Sequence, residues 1–80
     1  MTEARQIEIL NLADSEYINT IMNGNDFVNK YEAARNFAIN CIVAEVWKDH
    51  GITAPVQTIG RDDVRAEVDE LIRLFDRGLD

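Results

Sequence analysis

The chain has 80 residues, 46% hydrophobic and 29% charged, with 8 basic against 15 acidic side chains and a formal net charge of −7. A chain of this length makes one domain, residues 1–80, that buries roughly 60% of its unfolded surface, and a second domain is excluded. The acidic balance disfavours nucleic acid and anionic membrane as direct partners, because both need a cationic face, and favours a basic partner.

The composition is that of a globular domain rather than a disordered segment. Cys41 is the one cysteine, so no intramolecular disulfide can form, and its place among apolar residues suits a small buried hydrophobe. No signal-peptide pattern opens the chain, and no apolar run approaches the roughly 18 residues needed to cross a bilayer. A soluble, cytoplasmic protein is expected.

Residues 4–13, ARQIEILNLA, carry two patterns. Ile7 and Ile9 alternate with polar neighbours as in a strand, while Ala4, Ile7, Leu10 and Ala13 recur at helical spacing. The helix is preferred, since a lone strand would find no partner elsewhere in the chain. Asp14 and Ser15 then stand as N-cap residues before EYINTIM, where Tyr17, Ile18, Ile21 and Met22 give a short second helix or a bent continuation of the first, with Gly24 as a left-handed stop.

Residues 27–50 contain neither Gly nor Pro and form the expected central element. At 100° per residue, Phe27, Tyr31, Ala34, Ala38, Cys41 and Ile42 gather on one side, which Val28, Ile39 and Val46 widen beyond half the circumference. A helix so broadly apolar needs several neighbours. Asn25 or Asp26 would cap its start and Gly51 would end it. Three short helices are little material to cover about 36 Å of helix at 1.5 Å per residue, so a homodimer is the alternative source of cover.

Residues 51–60, GITAPVQTIG, are punctuated by Gly51, Pro55 and Gly60, and Pro55 pushes Ala54 towards extended geometry. Ile52, Val56 and Ile59 make this connection too apolar for a free linker, and it is expected to lie across the core as a lid. The last segment is the most regular: Val64, Val68, Leu71, Ile72 and Phe75 mark one face, Asp62 and Asp63 open it, Arg73 and Arg77 lie near its end, and Gly78 closes it. Charges match the helix dipole at both ends. Helices over roughly 3–13, 15–23, 27–50 and 62–77 predict an all-α fold, a small single-domain bundle of three to four helices around one long central helix.

No pattern points to catalysis. A nucleophile would have to be Ser15 or Cys41 with His50, the one histidine, yet Ser15 suits a cap and Cys41 a core. No CxxC, HExxH or EF-hand loop appears, and the glycines are isolated, so neither metal nor phosphate cofactor is expected. A helix-turn-helix reading of Arg61, Arg65, Arg73 and Arg77 meets Asp62, Asp63, Glu67, Asp69, Glu70, Asp76 and Asp80 on the same segment, which would repel phosphate. The connection before that segment is also longer than the turn of that motif.

Two surfaces are candidates for binding a partner. Asn29, Asn36, Asn40 and Trp47 fall within about 20° of one line on the central helix, with Asn25 and Val43 beside it. The amides offer donors and acceptors, and tryptophan is a favoured anchor at interfaces. Asp63, Glu67 and Glu70 run down one flank of the last helix, while Arg65, Asp69 and Arg73 on the next flank are expected to pair with one another. That would leave the acidic flank free to meet a basic surface.

In size and charge, with DDVRAEVDE as its densest acidic stretch, the chain resembles the small acidic anti-CRISPR and DNA-mimic inhibitors carried by phages and mobile elements. The resemblance rests on general character, and no residue roles carry over. It implies a non-enzymatic inhibitor or regulator that occludes a basic, nucleic-acid-handling surface of a partner protein. The alternative is a small helical structural or adaptor subunit acting through homo-oligomerisation.

Overall fold

The structure is a computed structural model and describes residues 1–24 and 28–79. Three α-helices and one short 3₁₀ turn follow in order among the described residues: α1, Glu3–Asn23; α2, Lys30–Asp49; the turn, Pro55–Thr58; and α3, Asp62–Leu79. The fold is an all-α helical bundle, and no strand occurs among the described residues.

α1 is one helix throughout, so residues 15–23 continue the first helix and do not form a separate second one. Thr2 caps it, its hydroxyl accepting from the Arg5 amide at 3.2 Å, which satisfies one of the free N–H groups of the first turn. Asp14 and Ser15 are exposed residues of its middle, not caps. Nothing between them breaks the helix, and the inward row continues through the join as Ile9, Ala13, Tyr17 and Thr20. The buried Thr20 hydroxyl donates to the Glu16 carbonyl at 2.9 Å, so its burial leaves no unmade bond. Ile7, Ile18 and Met22, expected inward, are exposed. Gly24 has φ −93° rather than the left-handed value expected of it.

α2 begins later than expected. Asn29, extended in backbone, accepts from the Glu32 amide at 3.1 Å and so caps the helix. Asn25, Asp26 and Phe27, named above as caps and as the start of this helix, lie outside the described residues. Val28 and Tyr31 are exposed. The inward row is narrower than the pattern suggested: Ala34, Ala38, Ile42 and Val46, four residues apart, are wholly buried. With 20 residues against 21 in α1, α2 is not a uniquely long axis.

The stop at Gly51 is as expected. Its φ is +69°, its amide donates to the Lys48 carbonyl at 3.1 Å, and the Ile52 amide donates to the Trp47 carbonyl at 2.8 Å. That bond pair is a Schellman motif, and it turns Ile52 into the core. In the connection, Ala54 is extended ahead of Pro55, and the Gln57 side-chain oxygen accepts from the amides of Thr53 at 2.6 Å and Ala54 at 2.9 Å. The connection is a lid only in part, because Val56 and Ile59 are exposed.

α3 buries Val64, Leu71 and Phe75, with Val68 and Ile72 against the core. Gly78 is within the helix rather than past its end. The helices run up, down and up. Arg5 at the start of α1 meets Asp49 at the end of α2, Arg35 near the start of α2 meets Asp76 near the end of α3, and Tyr17 of α1 stands edge-on to Phe75, ring centroids 5.9 Å apart. Small residues at Ala13, Ala34 and Ala38 suit close approach of α1 and α2, and these two share the more extensive seam.

Candidate interaction surface

Charged groups tie the helices together at the end where α1 starts. The Arg5 guanidinium donates to both carboxylate oxygens of Asp49, at 2.8 and 3.0 Å, and to Glu45 at 2.9 Å. Those bonds hold Asp49 below the usual carboxylate range and raise Arg5, through Asp49 first and Glu45 second. Beside them, His50 Nδ1 lies 3.3 Å from Arg61 Nη2, and His50 Nε2 lies 2.6 Å from a Glu67 oxygen. Arginine can only donate, so Nδ1 accepts and Nε2–H donates to Glu67. The Met1 amine is 3.6 Å from the other Glu67 oxygen.

This network changes the standing of the acidic flank. Asp63 receives two bonds at 3.0 Å from Arg61, which hold its carboxyl down to about 2. Glu67 is half-buried and bound to His50, and Glu70 is ion-paired with Arg73. The flank expected to be free is therefore neutralised within the chain. Arg73 pairs with Glu70 rather than Asp69, and Arg65 and Asp69 make no ion pair among the described residues. Helical spacing names neighbours on one helix but misses His50, which comes from another.

The asparagine stripe divides into three roles. Asn29 serves α2 as its cap. Asn36 and Asn40 are exposed and make no side-chain bond among the described residues. Trp47 is half-buried against the core and, with Val43, lines an open groove of about 180 Å³ between α2 and α3. Val64 and Val68 of α3 complete its apolar lining, and Arg61, Arg65 and Thr58 contribute its polar groups. The structure thus joins Trp47 to α3, a union that no spacing along one helix reveals.

Comparison of the chain with family models, with curated proteins and with solved structures returns no match. The chemistry of the surfaces must speak for itself. His50 has both ring nitrogens engaged by Glu67 and Arg61, and Ser15 is exposed on α1. Burial, and then the nearby Glu45 and Glu16 carboxylates, push the Cys41 thiol up, away from its nucleophilic form. Among the described residues no three or more His, Cys, Asp or Glu side chains converge to hold a metal ion. No helix among them is long and apolar enough to cross a membrane. What the surface offers is contact: exposed amides, a half-covered tryptophan and an open apolar groove.

Arg5, Glu45, Asp49 and Arg35 carry inter-helix bonds without having stood out in the sequence, and Asp76, counted there only among the acids of the last segment, carries another. Partners forty or more residues apart leave no local signal.

Proposed function

We propose that the chain is a non-enzymatic binding protein that acts in the cytoplasm by occluding a basic, nucleic-acid-handling surface of a partner protein. The observation that supports this reading is the acidity left over after internal pairing. Glu3, Asp14, Glu16, Glu32, Asp62 and Asp69 are exposed and make no ion pair among the described residues, in a chain of net charge −7. Asp62 and Asp69, seven residues apart, share one outward face of α3 and take over the part first assigned to Asp63, Glu67 and Glu70. Such charge speeds and orients encounter with a cationic surface more than it holds it.

Capture of partners at low and high salt, followed by nucleic-acid competition on whatever is captured, tests this. A basic partner released by salt, and displaced from its nucleic acid by the chain, is the expected result. A captured partner that keeps its nucleic acid while bound to the chain would overturn the reading.

A homo-oligomeric structural or adaptor role is favoured by a different observation: Ile18, Met22 and Val28 are 55%, 71% and 108% exposed, apolar surface that a second copy would cover. Sedimentation across a concentration series decides it, self-association being the expected sign and a persistent monomer ruling it out.

A further inference from the structure

We propose that the groove between α2 and α3 is a docking site for a linear protein segment in which a bulky apolar residue stands beside an aspartate or glutamate. The apolar side chain seats against Val43, Trp47 and Val68, and the carboxylate meets the Arg65 guanidinium. The inference stands apart from the occlusion reading, which needs no groove.

The size and lining of the groove set the apolar half of the motif. Its volume of about 180 Å³ has room for one large side chain. Its valines and indole offer that side chain dispersion contacts and release of water.

The polar groups set the other half. The Trp47 indole N–H has no partner among the described residues and is open to solvent, and indole nitrogen is a donor only. Arg65 is exposed and makes no side-chain bond among the described residues. Arg61 adds positive charge, although its guanidinium already serves Asp63 and His50. Thr58 gives its hydroxyl proton to the Pro55 carbonyl at 2.6 Å, which leaves lone pairs on one lining group. Donors and positive charge otherwise dominate the rim, so an acceptor with negative charge completes it.

The same groups reject other occupants. A lysine or arginine side chain would meet the unpaired Arg65 guanidinium, and Arg61, engaged by Asp63, would offer it no acceptor. A nucleic acid would bring one phosphate to the groove and many more against a chain of net charge −7. A single carboxylate beside an apolar side chain satisfies the local sign without opposing the overall one. The groove thus sets one unpaired guanidinium beside an apolar seat in an acidic molecule, and it selects for local sequence where the remaining surface responds to bulk charge.

The test is selection of a random dodecapeptide display library on the wild-type chain, with counter-selection on Arg65→Glu. The exposed Arg65 side chain makes no hydrogen bond or ion pair among the described residues, so the variant is expected to fold, and a matching far-UV spectrum checks this. Arg65→Ala replaces the variant if the spectrum differs. Enriched peptides are expected to share the apolar and acidic pair, to shift the Trp47 indole N–H resonance, and to bind Arg65→Glu about fivefold to thirtyfold more weakly, for one attraction lost and one repulsion gained. Trp47→Phe, which keeps an aromatic body and removes the N–H, is expected to weaken them as well. Basic consensus peptides, equal binding to Arg65→Glu, an unmoved Trp47 resonance or no selectable peptide would each overturn the proposal. Self-association of the chain abolished by Arg65→Glu would give the groove to a second copy and overturn it too.

Discussion

Glu67 shows how one side chain changes meaning once the helices are assembled. On the isolated α3 pattern it belongs to an acidic row with Asp63 and Glu70, yet its carboxylate bridges His50, the C-cap of α2, and the Met1 amine. Glu67→Gln is expected to lower the unfolding free energy by about 1–2 kcal/mol, the usual cost of weakening a charge-assisted bond at a half-buried site. Asp63→Asn, at an exposed position paired with Arg61, is expected to lower the denaturation midpoint less than Glu67→Gln does. Chemical denaturation of both variants checks the contrast, and equal midpoints would return Glu67 to the solvated face. Glu67→Lys would place an ammonium beside the Met1 amine and remove the acceptor of His50, so a binding defect in that variant would report on folding before it reported on a partner.

The elements were legible where the local pattern was strong. The inward row of α3 from Val64 to Phe75, the Gly51 stop and the extended Ala54 before Pro55 all stand as the sequence indicates, because each depends on residues a few positions apart. The break at Asp14 and Ser15 is absent because good cap residues end a helix only where the inward row also ends, and here Ala13 and Tyr17 carry it through. Tertiary contact overrides the cap preference. The groove was half legible: Trp47 and Val43 were, on one helix, but Val64 and Val68 meet them only once α3 is docked. Two substitutions probe these elements. Gly51→Ala meets no atom within 4 Å of the added Cβ, so its expected cost of about 1 kcal/mol comes from the φ of +69° alone. Ala38→Leu, in the wholly buried seam of α2, is expected to cost about 1–3 kcal/mol by overpacking. Thermal melts of both variants check the two costs, one from backbone strain and one from crowding.

For the molecule as a whole, three ion pairs tie acid stability to carboxylates. Arg5 holds Asp49, Arg61 holds Asp63 and Arg35 holds Asp76 below the ordinary value of 3.8. A depressed folded value means that the unfolded chain binds more protons as acid is added. The stabilisation is therefore complete above about pH 4 and is lost as pH falls through the folded values, down to about 2 for Asp63. Unfolding monitored from pH 5 to pH 2 should show that loss in the wild type and a shallower one in the double variant Asp49→Asn, Asp76→Asn. A slope unchanged by the two substitutions would assign acid unfolding to other carboxylates. Net charge passes through zero near pH 4.5 and turns positive below it, so any basic partner should be released before the fold is lost.

The unequal seams of the bundle have a kinetic consequence. α1 and α2 are joined by a short connection and share most of the packing, while α3 arrives through a longer one and touches both more sparingly. Openings that detach α3 alone should therefore be less costly than global unfolding, and amides of α3 should exchange with deuterated solvent sooner than those of Ile9, Ala38 and Ile42. One wall of the groove belongs to α3. A segment seated there would slow exchange along Val64 to Phe75 and leave the α1 and α2 amides at their former rates, so the site would announce its occupant by quieting the helix that opens first.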